Sequence, residues 1–152
     1  MHNQNEQRKR FEIIFASNNI HMQTLIETID KVKEFHHTFG LEYHTNPKAD
    51  LTQKIIELRH RLMQEENDEY LEAATKNDLT LIADALGDKL YILCGTIIAH
   101  GLQHKITEVF NEIHRSNMSK LDDSGKPIYR EDGKIMKSNN YFLPDIKTIL
   151  EK

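Results

Sequence analysis

The stretch RLMQEENDEYLEAA, residues 61–74, sets Glu65, Glu66, Glu69 and Glu72 within two turns of one helix. At roughly 100° per residue, Leu51, Ile55, Leu58, Leu62 and Ala73 fall on one arc of that helix. Glu66 and Glu69 fall inside the same arc, and Glu65 and Glu72 sit on its edge. A solvated charge run keeps to the polar face, which accounts for Asp68 and Glu72 but not for Glu66. Arg59 also lies in the arc, one heptad before Glu66, and is a candidate ion-pair partner for it. A second acidic line follows, where Asp84 and Asp88 stand one turn apart and share a narrow strip with Tyr91 and Gly95. Carboxylates gathered against apolar side chains repel one another and drift toward protonation unless a cation neutralises them. All the donors are oxygens, which favours Mg²⁺ or Mn²⁺ over zinc, and Mg²⁺ completes its octahedron with waters and substrate phosphates. Residue chemistry therefore points to a phosphate ester or anhydride as substrate, against the rival reading of a salt-bridged cluster that holds no metal.

Other metal chemistries fit less well. Di-iron bundles use Glu-x-x-His pairs, and Glu34 with His37 and Glu57 with His60 have that spacing. Both pairs fall opposite the apolar stripes of their helices, so they cannot converge in a core. His100 and His104 straddle Gly101 and lack a third ligand for zinc.

The elements that must position these groups are helical. Met22, Leu25, Ile29, Val32, Phe35 and Phe39 recur at spacings of three and four, predicting a first helix that Gly40 stops. After the loop at Pro47, Asp50 is placed to cap a long second helix reaching to about Thr75. Asn77 or Asp78 caps a third, apolar nearly all round and so central, ending near Ala99. A fourth runs from about Ile106 to Ser119 with Ile106, Val109, Phe110 and Ile113 as its buried stripe. Short connections between four helices predict an all-α fold, an antiparallel four-helix bundle. Turn signals at Ser124-Gly125 and Asp132-Gly133 mark residues 120–152 as a turn-rich tail, and Pro144 can open a last short helix.

The length of 152 residues suits one domain, residues 1–19 forming an N-terminal arm whose FEIIF segment has no helical period. A net charge of −4 offers no general attraction to polymeric nucleic acid or an anionic membrane. The apolar run from Leu79 to Leu102 is interrupted by Asp84, Asp88 and Lys89, which argues against a membrane span. The lone Cys94 reads as a buried free thiol, and a cytoplasmic setting fits it.

Three segments together, LRHRLMQEENDEYLEAA, IADALGDKLYILCGTIIAHGL and VFNEIHRSNMSKLDDSGKPIYREDGKIMKSNNYFLPDI, resemble the all-α nucleoside triphosphate pyrophosphohydrolases. That is the MazG-like and phosphoribosyl-ATP pyrophosphohydrolase-like superfamily, and the likeness is greatest to its small single-domain bacterial and phage branch. The resemblance covers roughly Val32 to Ile146. It implies Mg²⁺- or Mn²⁺-dependent hydrolysis of a nucleoside triphosphate to the monophosphate and pyrophosphate, by a homodimer or homotetramer. The family's Glu-Glu-x-x-Glu motif maps to Glu65, Glu66 and Glu69, with Glu66 and Glu69 as metal ligands and Glu65 as a further ligand or the group that orients water. Asp88 matches the Asp of the second motif, Glu-x-x-Asp, but its first position is Ala85. Asp84, four before Asp88, takes the place on the same face. By the same resemblance His114, Asn117 and Lys120, spaced at three, border the nucleotide. From its own turn-rich spacing the tail can bring Lys134 and Lys137 over the phosphates, the alternative being a solvated basic tail, and Tyr91 is either a core aromatic or a donor to a ligand. The opposed reading, favoured by Ala85, is a non-catalytic helical module that binds a nucleotide or a partner and keeps only the fold.

Overall fold

The computed structural model describes residues 24–152, so the N-terminal arm with its FEIIF segment lies outside the described residues. Thr24 opens the first helix, α1 (Leu25–Thr38), with a capping box. Its hydroxyl accepts from the Glu27 amide and the Glu27 carboxylate accepts from the Thr24 amide at 2.6 Å. Such caps are worth about 1 kcal/mol. Gly40, at φ +64°, turns the chain out of α1 as its sequence position predicts. The second helix, α2 (Gln53–Thr75), is capped by Thr52, whose hydroxyl accepts from the Ile55 amide, and not by Asp50, which stands two residues too early to reach the first turn. Asp78 caps the third helix, α3 (Leu79–Ala99), accepting from the amides of Thr80 and Leu81. The turn before it puts Asn77 at φ +55°, a conformation that asparagine tolerates better than most residues.

The apolar surround of α3 lets it pack on both α1 and α2. Ile29 and Val32 of α1 meet Cys94, Ile97 and Ile98 of α3 to form the core, and burial pushes the enclosed Cys94 thiol upward in pKa. The loop between α1 and α2 is strapped to the end of α3. The His44 amide donates to the Ile98 carbonyl at 3.0 Å, the Lys48 amide to the His100 carbonyl at 2.9 Å, and Gln103 Nε2 to the His44 carbonyl at 3.0 Å. His100 Nδ1 lies 2.8 Å from the Lys48 carbonyl, so this imidazole fastens the same loop.

The fourth helix, α4 (Ile106–Met118), matches its expected span but not its expected burial. Ile106 packs on the core, whereas Phe110 is 63% exposed and Ile113 is also exposed, because the packing partner of α4 is the short tail helix α5 (Ile146–Leu150). The short last helix does open just after Pro144, with Asp145 as its cap. The tail is fixed through side-chain oxygens: Ser116 Oγ donates to the Phe142 carbonyl at 2.7 Å, the Phe142 amide to Ser119 Oγ at 3.2 Å, and Ser138 Oγ to the Leu121 carbonyl at 2.7 Å. A single bridge, Tyr129 to Ile135, closes the turn at Asp132-Gly133. The all-α class and the helical bundle hold, and among the described residues no helix is long and apolar enough to cross a membrane.

His36 of α1 is 4% exposed, and burial followed by the nearby Arg59 charge holds its pKa below the ordinary 6.5. The unfolded chain therefore takes up this proton first, and the stability contributed by neutral His36 is present above pH 6.5 and lost as the pH falls below it. His36→Leu is expected to shrink the drop in melting temperature between pH 7.5 and pH 5.5. Calorimetry at the two pH values checks this, and an unchanged drop assigns the acid sensitivity elsewhere.

Candidate active site

Side-chain bonds fix how α2 and α3 lie against each other. Arg59 Nε donates to Thr96 Oγ1 at 3.2 Å and Arg59 Nη2 to the Ile92 carbonyl at 3.0 Å, while Lys89 Nζ donates to Asn67 Oδ1 two turns further on. Arg59 is thus committed to α3 and makes no pair with Glu66, correcting the heptad expectation. An antiparallel pair in this register brings Glu66 toward Asp88 and Glu69 toward Asp84.

The electrostatics agree with that placement. The Glu66 carboxyl is held above the usual carboxylate range, first by burial and then by the charges of Glu69, Asp88, Glu65 and Asp84. Its Oε2 atom is buried without a hydrogen-bond partner. A cavity of about 280 Å³ further along α2 is lined by Glu69, Glu72, Lys76 and Asp84 together with Ala73, Leu81 and Ala85. Ala85 is 3% exposed, so the place where the family motif carries glutamate is here part of the helix–helix contact, and Asp84 is the acid that faces the opening.

Among the described residues no three of these side chains close on one point at ligand distance. A buried carboxylate oxygen without a partner, with the charges of four further carboxylates acting on it, has the donor chemistry of a hard-cation site.

The other expected residues fall in separate places. Tyr91 packs edge-on against Phe35 of α1 at 5.7 Å, and its hydroxyl is pushed up in pKa by burial and then by Glu34. On α4, Lys120 Nζ donates to Asn117 Oδ1 at 2.7 Å. Lys137 lies over the Tyr141 ring at 4.3 Å, and Lys134 belongs to the Asp132-Gly133 turn. Among the described residues no hydrogen bond joins His114, Asn117, Lys120, Lys134 or Lys137 to the carboxylates. Arg115 makes a two-bond pair with Glu112, both at 2.8 Å, and Glu112 also accepts the Asp145 amide, so this arginine secures the tail.

Lys89 stands out in the sequence only as a break in an apolar run. In the fold it lies over the Tyr70 ring and, beside Asp88, ties α3 to Asn67 of α2. A signal for this was present, since a lysine on a helix buried on several sides needs an acceptor.

Known proteins share this arrangement of sequence. The family model for phosphoribosyl-ATP pyrophosphohydrolase matches residues 32–117, a range that holds all five carboxylates and ends at Asn117, before the tail. An uncharacterized protein of Acanthamoeba polyphaga mimivirus is 28% identical over 127 residues, which cover 80% of this chain. The matched region spans 47% of the viral protein's own length.

Proposed function

The chain belongs to the phosphoribosyl-ATP pyrophosphohydrolase family, and from that premise we propose that it is a Mg²⁺-dependent nucleotide pyrophosphohydrolase. It splits the α–β phosphoanhydride of a nucleoside triphosphate, releasing the monophosphate and pyrophosphate. The observation that carries this reading is the buried, unpartnered Glu66 oxygen with four carboxylates raising the cost of its charge. A protein that keeps such an arrangement gives up stability unless a cation offsets it.

Glu66, Glu69, Asp84 and Asp88 would hold Mg²⁺, for which Mn²⁺ can substitute. Bound there, such an ion would supply positive charge to polarise the phosphate oxygens and to acidify the attacking water. Glu65, at the exposed edge of the group, accepts the proton as the water oxygen attacks phosphorus, and pyrophosphate departs with the bond electrons. The bonded Asn117 and Lys120, with His114, take the sugar and phosphates, while Tyr91, packed on Phe35 of α1, serves as a core aromatic behind the carboxylates. Lys134 and Lys137 lie beyond the matched range, and their role at the phosphates rests on their charge. A homodimer or homotetramer is proposed as the working form, because Leu86, Leu90 and Leu93 of α3 and Phe110 and Ile113 of α4 present apolar surface to solvent.

Incubation with each nucleoside triphosphate and Mg²⁺, followed by separate assay of pyrophosphate and orthophosphate, tests the reaction. Pyrophosphate in equal amount to nucleoside monophosphate is expected. Orthophosphate as the sole inorganic product overturns the assignment, and Mg²⁺-dependent stabilisation without any product supports the binding-module reading instead.

A further inference from the structure

Toward the N-terminus of α2, a cavity of about 320 Å³ opens between the end of α1, the loop after it and the first turns of α2. The arginine in its wall, Arg59, lies one heptad before Glu66, roughly 10 Å away along the helix axis. The cavity is thus offset from the carboxylates, and its electrostatic character is opposite.

Arg59 is 9% exposed, and its two bonds go to the neutral oxygens of Thr96 and Ile92. Among the described residues no carboxylate lies within ion-pair distance of it. Burial without a counter-charge holds the Arg59 pKa down, and the two bonds use two of its five N–H groups, leaving three for a ligand. The imidazole of His36, buried in the same wall, makes no hydrogen bond of ordinary length at Nδ1, and the Glu42 backbone is the polar neighbour of the ring. Thr52 and Lys54 bring the positive end of α2 to the rim, and no acidic residue stands in the first turn of that helix to offset it. Glu42 is the one carboxylate lining the opening, and it is turned to His44 at 3.4 Å and mostly in water. Beyond these polar groups the wall is aliphatic, formed by side chains such as Ile55 and Leu58.

We propose that this cavity is a binding site for a small organic oxyanion, its phosphate or carboxylate group held by Arg59, His36 Nδ1 and Lys54 and its carbon body resting on Ile55 and Leu58. The site is distinct from the carboxylate-lined one and needs no metal. Its ligand supplies the negative charge that Arg59 lacks within the chain.

Melting of the full chain in the presence of EDTA tests this, with inorganic phosphate and butyrate as probes and sodium chloride matched for ionic strength. At least one probe is expected to raise the melting temperature saturably, by about 3 °C at several times its dissociation constant. A response to phosphate alone or butyrate alone assigns the head group. Arg59→Met is expected to abolish the rise. Lys54→Met, at an exposed position that the fold does not depend on, should weaken the midpoint about threefold. Glu66→Gln is expected to leave the rise intact, which separates this site from the one proposed for the triphosphate. The proposal is overturned by a rise no larger than that with sodium chloride, by one that does not saturate, or by one that Lys54→Met leaves at the same midpoint.

Discussion

Glu66→Gln is expected to lower nucleoside triphosphate turnover by at least about 10³-fold while raising the melting temperature of the metal-free protein. The two effects have one cause. Glu66 carries a buried oxygen with no partner, and its carboxyl is raised in pKa by burial and by Glu69, Asp88, Glu65 and Asp84 in turn. Because the folded chain holds this proton more tightly than the unfolded one, ionisation of Glu66 destabilises the fold. The penalty is complete above the folded pKa and fades as the pH falls through it toward the ordinary carboxylate value. Glutamine removes the charge and keeps the shape, so the penalty disappears at neutral pH, and with it the ligand that Mg²⁺ needs. Melting in EDTA and in Mg²⁺ at pH 7.5 should show the variant more stable than the natural protein without metal and insensitive to Mg²⁺. The natural protein should gain from the ion. Undiminished turnover in the variant, or a natural protein indifferent to Mg²⁺, removes Glu66 from the metal site.

How much of this could be read from the chain follows from what helical periodicity encodes. Rotation about one axis placed Glu66 and Glu69 among apolar residues, and the structure puts Glu66 where its oxygen is buried. The same rotation showed Asp84 and Asp88 on one face, and the packing explains the alanine between them, since Ala85 fills a helix contact that a glutamate side chain would prise apart. Periodicity says nothing about which neighbour a side chain meets across an interface. Arg59 therefore looked like a partner for Glu66 within α2 and instead bonds Thr96 and Ile92 of α3. It also marks a face as apolar without saying what covers it, so the stripe of α4 was expected to be buried although Phe110 faces solvent in the single chain. Ser116 and Ser119 were invisible because a hydroxyl that fastens a tail has no spacing signature. Only the fold brings the Phe142 backbone to them.

Gly101→Ala is expected to be the most damaging single-methyl change outside the carboxylate site, costing about 3 kcal/mol or more and lowering the melting temperature by about 10 °C. Gly101 ends α3 in a Schellman motif: its amide donates to the Ile98 carbonyl at 3.1 Å, and the Leu102 amide donates to the Ile97 carbonyl at 2.9 Å. The motif requires φ near +66°, where an L side chain is strained by about 1 kcal/mol. The larger contribution is steric, because a Cβ there would stand 1.9 Å from the Asn46 carbonyl oxygen. That carbonyl cannot retreat freely, since the bonds from His44 to Ile98 and from Lys48 to His100 hold the loop down on both sides of it. Gly40 provides the control. It has φ +64°, and a Cβ added there would meet nothing within 4 Å, so Gly40→Ala should cost only the backbone strain of about 1 kcal/mol. Chemical denaturation of both variants measures the difference, and equal losses would show that the loop moves aside. Because the clash lies at the end of α3 remote from Asp84 and Asp88, the Gly101 variant should keep its turnover per folded molecule well below its melting temperature, separating a loss of fold from a loss of chemistry.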